Sequence, residues 1–181
     1  ENYIKTNKTL AVFIEPTRQK YMDKVPINFL NELRRITSKH DAAMVLNETA
    51  SKFGAYSKTF YASNEMENSP DALMAYYGGQ FSIVNMSKRF FIDTPLMLIS
   101  TWDGDEFSLC HAINEVNKYK EGILSNTNIR DEFHIDLIKV LEKYNVSEFN
   151  ISDGRGFFIG KLPIHLEGYF NNVEGRNIVS L

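Results

Sequence analysis

Short apolar runs and amphipathic stretches alternate through the first half of the chain. The runs "TLAVFIEP" (Thr9–Pro16) and "AAMVL" (Ala42–Leu46) have the character of strands that are buried on both faces. Between them lies "VPINFLNELRRITSKHD", where Pro26 suits the first turn of a helix. Four apolar side chains share one face of this predicted helix: Phe29, Leu30, Leu33 and Ile36. Strand, helix and strand at this spacing predict a right-handed parallel crossover.

Shorter elements follow in the rest of the chain. The stretch "SPDALMAYYGGQFSIVNMSKRFF" predicts strands at Ala72–Met74 and Phe81–Asn85, with a tight turn at Gly78-Gly79 between them. Two amphipathic helices come next, the first with the stripe Phe107, Cys110, Ile113 and Val116 and the second with Phe133, Leu137, Leu141 and Tyr144. The stretch "EFNISDGRGFFIGKL" then predicts a β hairpin around Gly154 and Gly156.

These elements predict an α/β chain with a mainly parallel sheet, followed by a small C-terminal α+β subdomain. We expect residues 1–100 to form part of a large α/β domain, residues 101–127 to form a connecting helix, and residues 128–181 to form the small subdomain. A chain of 181 residues is long enough for one core with a smaller appendage.

Composition narrows the range of partners and compartments. A net charge of −3 gives no electrostatic argument for nucleic acid or an acidic membrane surface as a partner. No apolar run approaches a membrane span, and the first residues lack the apolar core of a signal peptide. The single cysteine, Cys110, cannot form an internal disulfide and falls on a predicted apolar stripe. We therefore expect a buried structural thiol in a cytoplasmic protein.

Taken one at a time, the short motifs give no catalytic signature. The four histidines lack metal-ligand spacing, so no metal site is predicted. "DGRGFF" lacks the G-x-G-x-x-G spacing of a dinucleotide-binding loop, and "YYGGQF" lacks the Lys-Ser/Thr that ends a phosphate-binding loop.

Taken in order, several segments resemble one family. "AVFIEP", "VPINFLNELRRITSKHD", "MVLNETASKFGAYSKTFYA", "SPDALMAYYGGQ", "STWDGD" and "DGRGFF" are similar to segments of the class III aminotransferases. These are pyridoxal-phosphate (PLP) enzymes that act on ornithine, GABA, lysine and other ω-amino acids. The resemblance runs from about Leu10 to about Leu162. It implies a partial type I PLP-transferase architecture, corresponding to the C-terminal half of such an enzyme. It also implies a homodimer, or packing against neighbouring domains of a longer chain.

The residues at the two central chemical positions of that family are replaced. PLP catalysis needs a lysine that forms a Schiff base with the cofactor, and the matching position, six residues after Asp71, is Tyr77. It also needs a carboxylate against the pyridine nitrogen, and the matching residue is Asn47, which carries no charge. The resemblance therefore implies no catalytic residue in this chain.

Secondary positions of the family are replaced as well, while turn and packing positions are kept. Ala50 stands where the family has a glutamine near the cofactor. In the loop after Pro16, Arg18 and Lys20 replace a glutamine and an acidic residue, and Tyr21-Met22 replaces a glycine pair. The retained scaffold positions are Glu15-Pro16, Phe53-Gly54, Pro70-Asp71, Gly104 and Gly154–Gly156. Thr101 matches the threonine that reaches a PLP phosphate across the dimer interface. Thr101, Asn47 and Glu48 are thus the predicted, vestigial cofactor-binding residues.

The sequence leaves three functional hypotheses open. The favoured one is a catalytically inert aminotransferase-like domain that binds no cofactor and serves dimerisation or scaffolding within a larger protein or complex. The alternative is the C-terminal segment of a working PLP-dependent class III aminotransferase that acts on an ω-amino acid or its amino acceptor. The third is a domain that holds PLP or another small molecule without turnover, in a pocket lined by Thr101, Asn47 and Glu48.

Overall fold

The described residues form helices, two four-stranded sheets and a two-stranded hairpin. The computed structural model describes residues 1–6, 8–21, 23–51, 59–94, 105–122, 127–146, 148–152, 155–161, 171–173 and 176–180. The helices are α1 (Asn2–Thr6), α2 (Ile27–Lys39), α3 (Glu106–Lys120) and α4 (Thr127–Lys143). The strands are β1 (Ala11–Ile14), β2 (Thr17–Arg18), β3 (Asp23–Lys24), β4 (Ala43–Asn47), β5 (Ala72–Gly78), β6 (Phe81–Met86), β7 (Glu148–Ser152), β8 (Arg155–Ile159), β9 (Asn171–Val173) and β10 (Arg176–Ser180). The predicted α/β class is confirmed.

The first sheet is mainly parallel. Its strand order is β1-β4-β5-β6, with β1, β4 and β5 parallel and β6 returning antiparallel. The parallel pairing predicted for the first two apolar runs is thus confirmed. The predicted turn between β5 and β6 is also confirmed, since Gly78 and Gly79 have φ of +108° and +59°, which L-residues rarely adopt. A Cβ at Gly79 would clash with Ser108 Oγ on α3, so this turn also needs glycine for close approach.

Helix α2 covers one face of this sheet. Leu30 of α2 is buried against Met44 and Leu46 of β4, with Leu33 and Leu73 packed around them. This confirms Leu30 and Leu33 of the predicted apolar face of α2, whereas Phe29 is 54% exposed.

A largely buried ion pair joins α2 to the residue that precedes β5. Asp71 accepts hydrogen bonds from Arg34 Nη1 at 2.5 Å and from Arg34 Nη2 at 3.3 Å. The same carboxylate accepts the Met44 backbone N–H at 2.9 Å, which ties β4 to both elements. The Pro-Asp pair that the sequence marked as scaffold therefore has a defined structural role at Asp71.

Helix α3 packs on β5 and β6 with a face different from the predicted one. Its buried residues are the small Ser108 and Ala112, whereas Phe107 and Ile113 are 84% and 59% exposed. Cys110 is exposed as well, so the expectation of a buried structural thiol is wrong. The reason is the close approach of α3 to the β5–β6 turn, which admits only small side chains at the contact.

The C-terminal residues form an antiparallel sheet of order β7-β8-β10-β9 beside α4. The predicted hairpin corresponds to β7 and β8, and Leu141 of α4 is buried against Phe158 of β8, as the helical stripe indicated. Arg176 of β10 lies with its guanidinium 5.0 Å from the ring centre of Tyr21 and 4.5 Å from that of Phe157. This stacked arginine connects the second sheet to the β2–β3 hairpin.

Within the described ranges, no helix combines the length and the apolar character needed to cross a membrane. The predicted division of the chain at residues 100 and 127 remains a prediction.

Candidate functional site

The carboxyl ends of β1 and β4 bring together two polar side chains from the sequence analysis. In open parallel sheets, ligands bind in the crevice beyond these strand ends. Asn47 ends β4 and donates from Nδ2 to Glu15 Oε1 at 3.3 Å, while its Oδ1 accepts the Thr49 backbone N–H at 3.2 Å. Both Glu15 and Asn47 are partly buried. The orientation of the Asn47 amide is set on both sides, because an N–H donor faces its oxygen and a carboxylate faces its nitrogen.

Sequence reasoning placed Glu15 with the scaffold and missed its contact with Asn47. A signal was present, since Glu15 follows β1 directly and Asn47 ends β4, and neighbouring parallel strands end at the same sheet edge. The other oxygen of Glu15 accepts the Gln19 backbone N–H at 3.1 Å, which orders the loop after Pro16. Glu15 thus links that loop to the end of β4.

Glu48 is fully buried, and its carboxylate is used within the protein. Its Oε1 accepts the Ser63 backbone N–H at 2.7 Å, and its Oε2 accepts the Ala62 N–H at 3.1 Å and the Ser51 hydroxyl. These bonds cap the first turn of a short 3₁₀ helix at Ala62–Glu65. A cofactor-binding role for Glu48 remains a prediction, and the contacts observed are those of a structural cap.

Tyr77 lies on the opposite face of the sheet from Asn47. Asn47 is paired in register with Met74, and side chains alternate along a strand, so Met74 and Tyr76 share the face of Asn47. Tyr77 instead packs with Ala75 and with Ala112 of α3. The two positions that the resemblance assigns to Schiff-base formation and pyridine protonation are therefore not brought together.

The Tyr77 hydroxyl is held in a buried pair. It forms a hydrogen bond with the Tyr61 hydroxyl, and its ring lies 5.5 Å from that of Phe81. Burial raises the pKa of Tyr77 strongly, and the bond with Tyr61 raises it further. Burial also raises the pKa of Tyr61. Both phenols are therefore neutral at physiological pH.

The other positions that the resemblance singled out lie in different surroundings. Ala50 is buried, and Arg18 forms a bidentate pair with Asp23 across the β2–β3 hairpin. Lys20 lies 5.5 Å from the ring centre of Tyr21. Thr101 lies outside the described residues, so its predicted phosphate contact stays a prediction. In the part of the chain that is described, no group of three or more His, Cys, Asp or Glu side chains is placed to hold a metal ion.

Comparison with known proteins gave matches among solved structures. No family model matches the chain, and no curated protein does. An ornithine aminotransferase from Plasmodium yoelii matches 98% of this chain with a TM-score of 0.78 and 16% identity, and the match covers 53% of that protein. Ornithine δ-aminotransferase of Plasmodium falciparum matches 99% of this chain with a TM-score of 0.78 and 13% identity, over 52% of its length. N-acetylornithine aminotransferase from Stenotrophomonas maltophilia matches 88% of this chain with a TM-score of 0.64 and 19% identity, over 43% of its length.

At these identities the likeness shows the fold. The chain has the fold of part of these aminotransferase structures, and the predicted resemblance is confirmed at the level of the fold. The chain spans about half the length of the structures that it matches.

The residues at the matching positions do not fit PLP as a catalytic cofactor. The amide of Asn47 faces Glu15 and Thr49 and has no charge with which to keep a pyridine nitrogen protonated. Tyr77 offers a neutral phenol beneath α3 where an amine is required, on the face of the sheet opposite Asn47. Transamination is therefore not supported by the residues at these two positions.

Proposed function

We propose that this chain is a catalytically inert, aminotransferase-like domain that serves dimerisation or scaffolding within a larger protein or complex. The observation that carries the proposal is the separation of Asn47 and Tyr77 on opposite faces of the first sheet, with neither residue able to do the chemistry of its position. A Schiff-base lysine has no ready substitute in transamination, because the same amine forms the covalent link and then moves the substrate proton.

The open face of the first sheet supports a role in assembly. Phe13, Tyr76 and Val84 lie on this face and are 71%, 49% and 57% exposed. Parallel sheets are normally covered on both faces, and here α2 and α3 cover the opposite one. A second copy of the chain or a neighbouring domain would bury this apolar surface. A cytoplasmic location is part of the proposal, supported by the single cysteine.

Absorbance spectroscopy tests the inert function. The purified protein, mixed with PLP and then with an amino donor such as ornithine, is expected to show no lysine-bound pyridoxal band and no donor-dependent shift. A band that shifts on adding the donor would contradict the proposal. Calorimetric titration with PLP alone tests whether the chain binds PLP without turnover. The proposed function, which includes no cofactor, predicts a flat trace at high PLP concentration.

A second candidate is the C-terminal segment of a working class III aminotransferase whose lysine lies elsewhere. The fold shared with ornithine and N-acetylornithine aminotransferases favours it. In that case PLP would be the cofactor and an ω-amino acid the substrate. Borohydride reduction in the presence of PLP, followed by peptide mapping, separates the two candidates, since a pyridoxyl-labelled lysine would favour the enzyme.

A further inference from the structure

A cavity of about 400 Å³ lies between the β5–β6 hairpin and α3, on the face of the sheet opposite Asn47. At the volume that a water molecule occupies in the liquid, this space would hold roughly a dozen water molecules. Helix α3 turns the small side chain of Ala112 toward the sheet. Leu109, Ile113 and Val116 of the same helix also line the space.

Two contacts, one near each end of α3, hold the helix in place beside the cavity. At one end, Ser108 Oγ accepts the Gln80 backbone N–H at 2.8 Å, which holds the start of α3 on the β5–β6 turn. At the other end, the ring of Phe60 meets that of Tyr119 edge-on, with 4.8 Å between centres. Helix α3 is thus fixed along its length without filling the space between, so the cavity is part of the folded chain.

The walls are mainly apolar and aromatic, with Asn117 and Lys120 also in the lining. Phe60, Phe81 and Val116 supply the apolar surface, and the hydrogen-bonded hydroxyls of Tyr61 and Tyr77 lie in the wall. Apolar pockets with a few placed polar groups are typical small-molecule sites. The rings also favour an aromatic guest, which can meet them edge-to-face.

The hydroxyl pair and the rim select the chemistry of the guest. Whether the Tyr61 hydroxyl donates to Tyr77 or accepts from it, its oxygen keeps at least one lone pair, so a guest with an N–H or O–H donor is favoured. A cation is disfavoured, because it would be unpaired against the apolar walls and would be repelled by Lys120.

We propose that this cavity, formed by Phe60, Tyr61, Tyr77, Phe81, Ala112 and Val116, binds an aromatic molecule with one hydrogen-bond donor and no positive charge, of the indole or phenol class. The site does not depend on Asn47, PLP or the assembly surface. It would be present whether or not the proposed inert function is correct.

Calorimetric or NMR titration with indole tests the proposal, with 1-methylindole as the matched ligand that lacks the donor. Indole is expected to bind saturably at one site and about threefold or more tighter than 1-methylindole, because the methylated ligand cannot donate to the hydroxyl pair. The Ala112→Leu substitution adds three carbon atoms inside the cavity and is expected to weaken indole binding about tenfold or more. Phe107→Ala, on the exposed side of the same helix, is the control and is expected to leave binding unchanged.

A second variant keeps the test decisive if Ala112→Leu disturbs folding. The double substitution Tyr61→Phe and Tyr77→Phe keeps both rings and removes both hydroxyls, so the preference for indole over 1-methylindole is expected to disappear. The proposal is overturned if indole does not saturate up to its solubility limit. It is also overturned if 1-methylindole binds as tightly as indole, or if Phe107→Ala weakens binding as much as Ala112→Leu.

Discussion

The contact between Asn47 and Glu15 predicts that restoring the family's carboxylate at position 47 destabilises this protein. Asn47→Asp replaces the Nδ2 group that lies 3.3 Å from Glu15 Oε1 with a carboxylate oxygen. The favourable amide–carboxylate hydrogen bond becomes a contact between two negative charges. The other oxygen still accepts the Thr49 N–H, so rotation of the side chain would not relieve the repulsion without breaking that bond.

The size of the effect follows from the distance and the partial burial. Two unit charges 4 Å apart at an effective dielectric constant of 20 repel by about 4 kcal/mol, which is an upper bound for partly exposed groups that can move apart. A lost hydrogen bond adds about 1 kcal/mol. We expect Asn47→Asp to lower the free energy of unfolding by about 1–3 kcal/mol at pH 7.5.

The loss of stability in Asn47→Asp should change with pH in a definite direction. Two adjacent carboxylates hold one proton up to a higher pH in the folded state than they do in the unfolded chain. The folded variant then binds more protons than the unfolded one, so its stability relative to the wild type falls as the pH rises above about 4 and levels off once that proton is lost. The deficit should therefore be smaller at pH 5.0 than at pH 7.5.

Urea unfolding followed by circular dichroism measures this effect at both pH values. The matched control is the double variant Asn47→Asp with Glu15→Gln, which exchanges the amide and the carboxylate and should recover most of the loss. A neutral or stabilising Asn47→Asp at pH 7.5 would refute the reasoning. So would a double variant that is no more stable than Asn47→Asp alone.

Three further predictions concern buried polar groups. Asp71→Ala leaves the Arg34 guanidinium unpaired and should cost about 3–5 kcal/mol in urea unfolding, with a smaller loss for Asp71→Asn, which keeps an acceptor oxygen. Glu48→Ala leaves two buried backbone N–H groups unpaired and should cost about 2–4 kcal/mol, whereas Glu48→Gln should cost less. Because the pKa of Tyr77 is raised, the stability that its neutral form provides is present below pH 10 and lost as the pH rises further. Tyr77→Phe should therefore show a smaller alkaline loss of stability than the wild type in the same assay.

The first sheet and its helix could be predicted from local pattern. The apolar run at 42–46 corresponds to β4 within one residue, and Leu30 and Leu33 are packed as their helical spacing indicates. In contrast, β2 and β3 have two residues each and β9 has three, too few for any alternation of side chains to be read.

The buried face of α3 could not be predicted from its own sequence. Its most hydrophobic stripe includes Phe107 and Ile113, and amphipathicity alone would bury them. The contact at Gly79 excludes large side chains, so the helix docks through Ser108 and Ala112 instead. The close approach of α3 to the β5–β6 turn determines which face of the helix is buried. The sequence of α3 alone does not contain that information.

The sequence could name candidate site residues but could not indicate how they are arranged. Counting from Asp71 identified Tyr77 but said nothing of the sheet face on which it lies. The register of β5 on β4 settles that point, since Met74 pairs with Asn47 and Tyr77 is three residues further along. Tyr77 thus differs from the family's lysine in residue type, and it lies on the sheet face opposite Asn47.

The most direct test of the inert function is to search for a Schiff-base lysine. The protein is incubated with PLP, reduced with borohydride, digested and analysed by peptide mass spectrometry, with a denatured sample as the control for unspecific labelling. The inert function predicts no lysine labelled stoichiometrically, and no label beyond that of the denatured control. One lysine labelled to completion in the folded protein alone would contradict it.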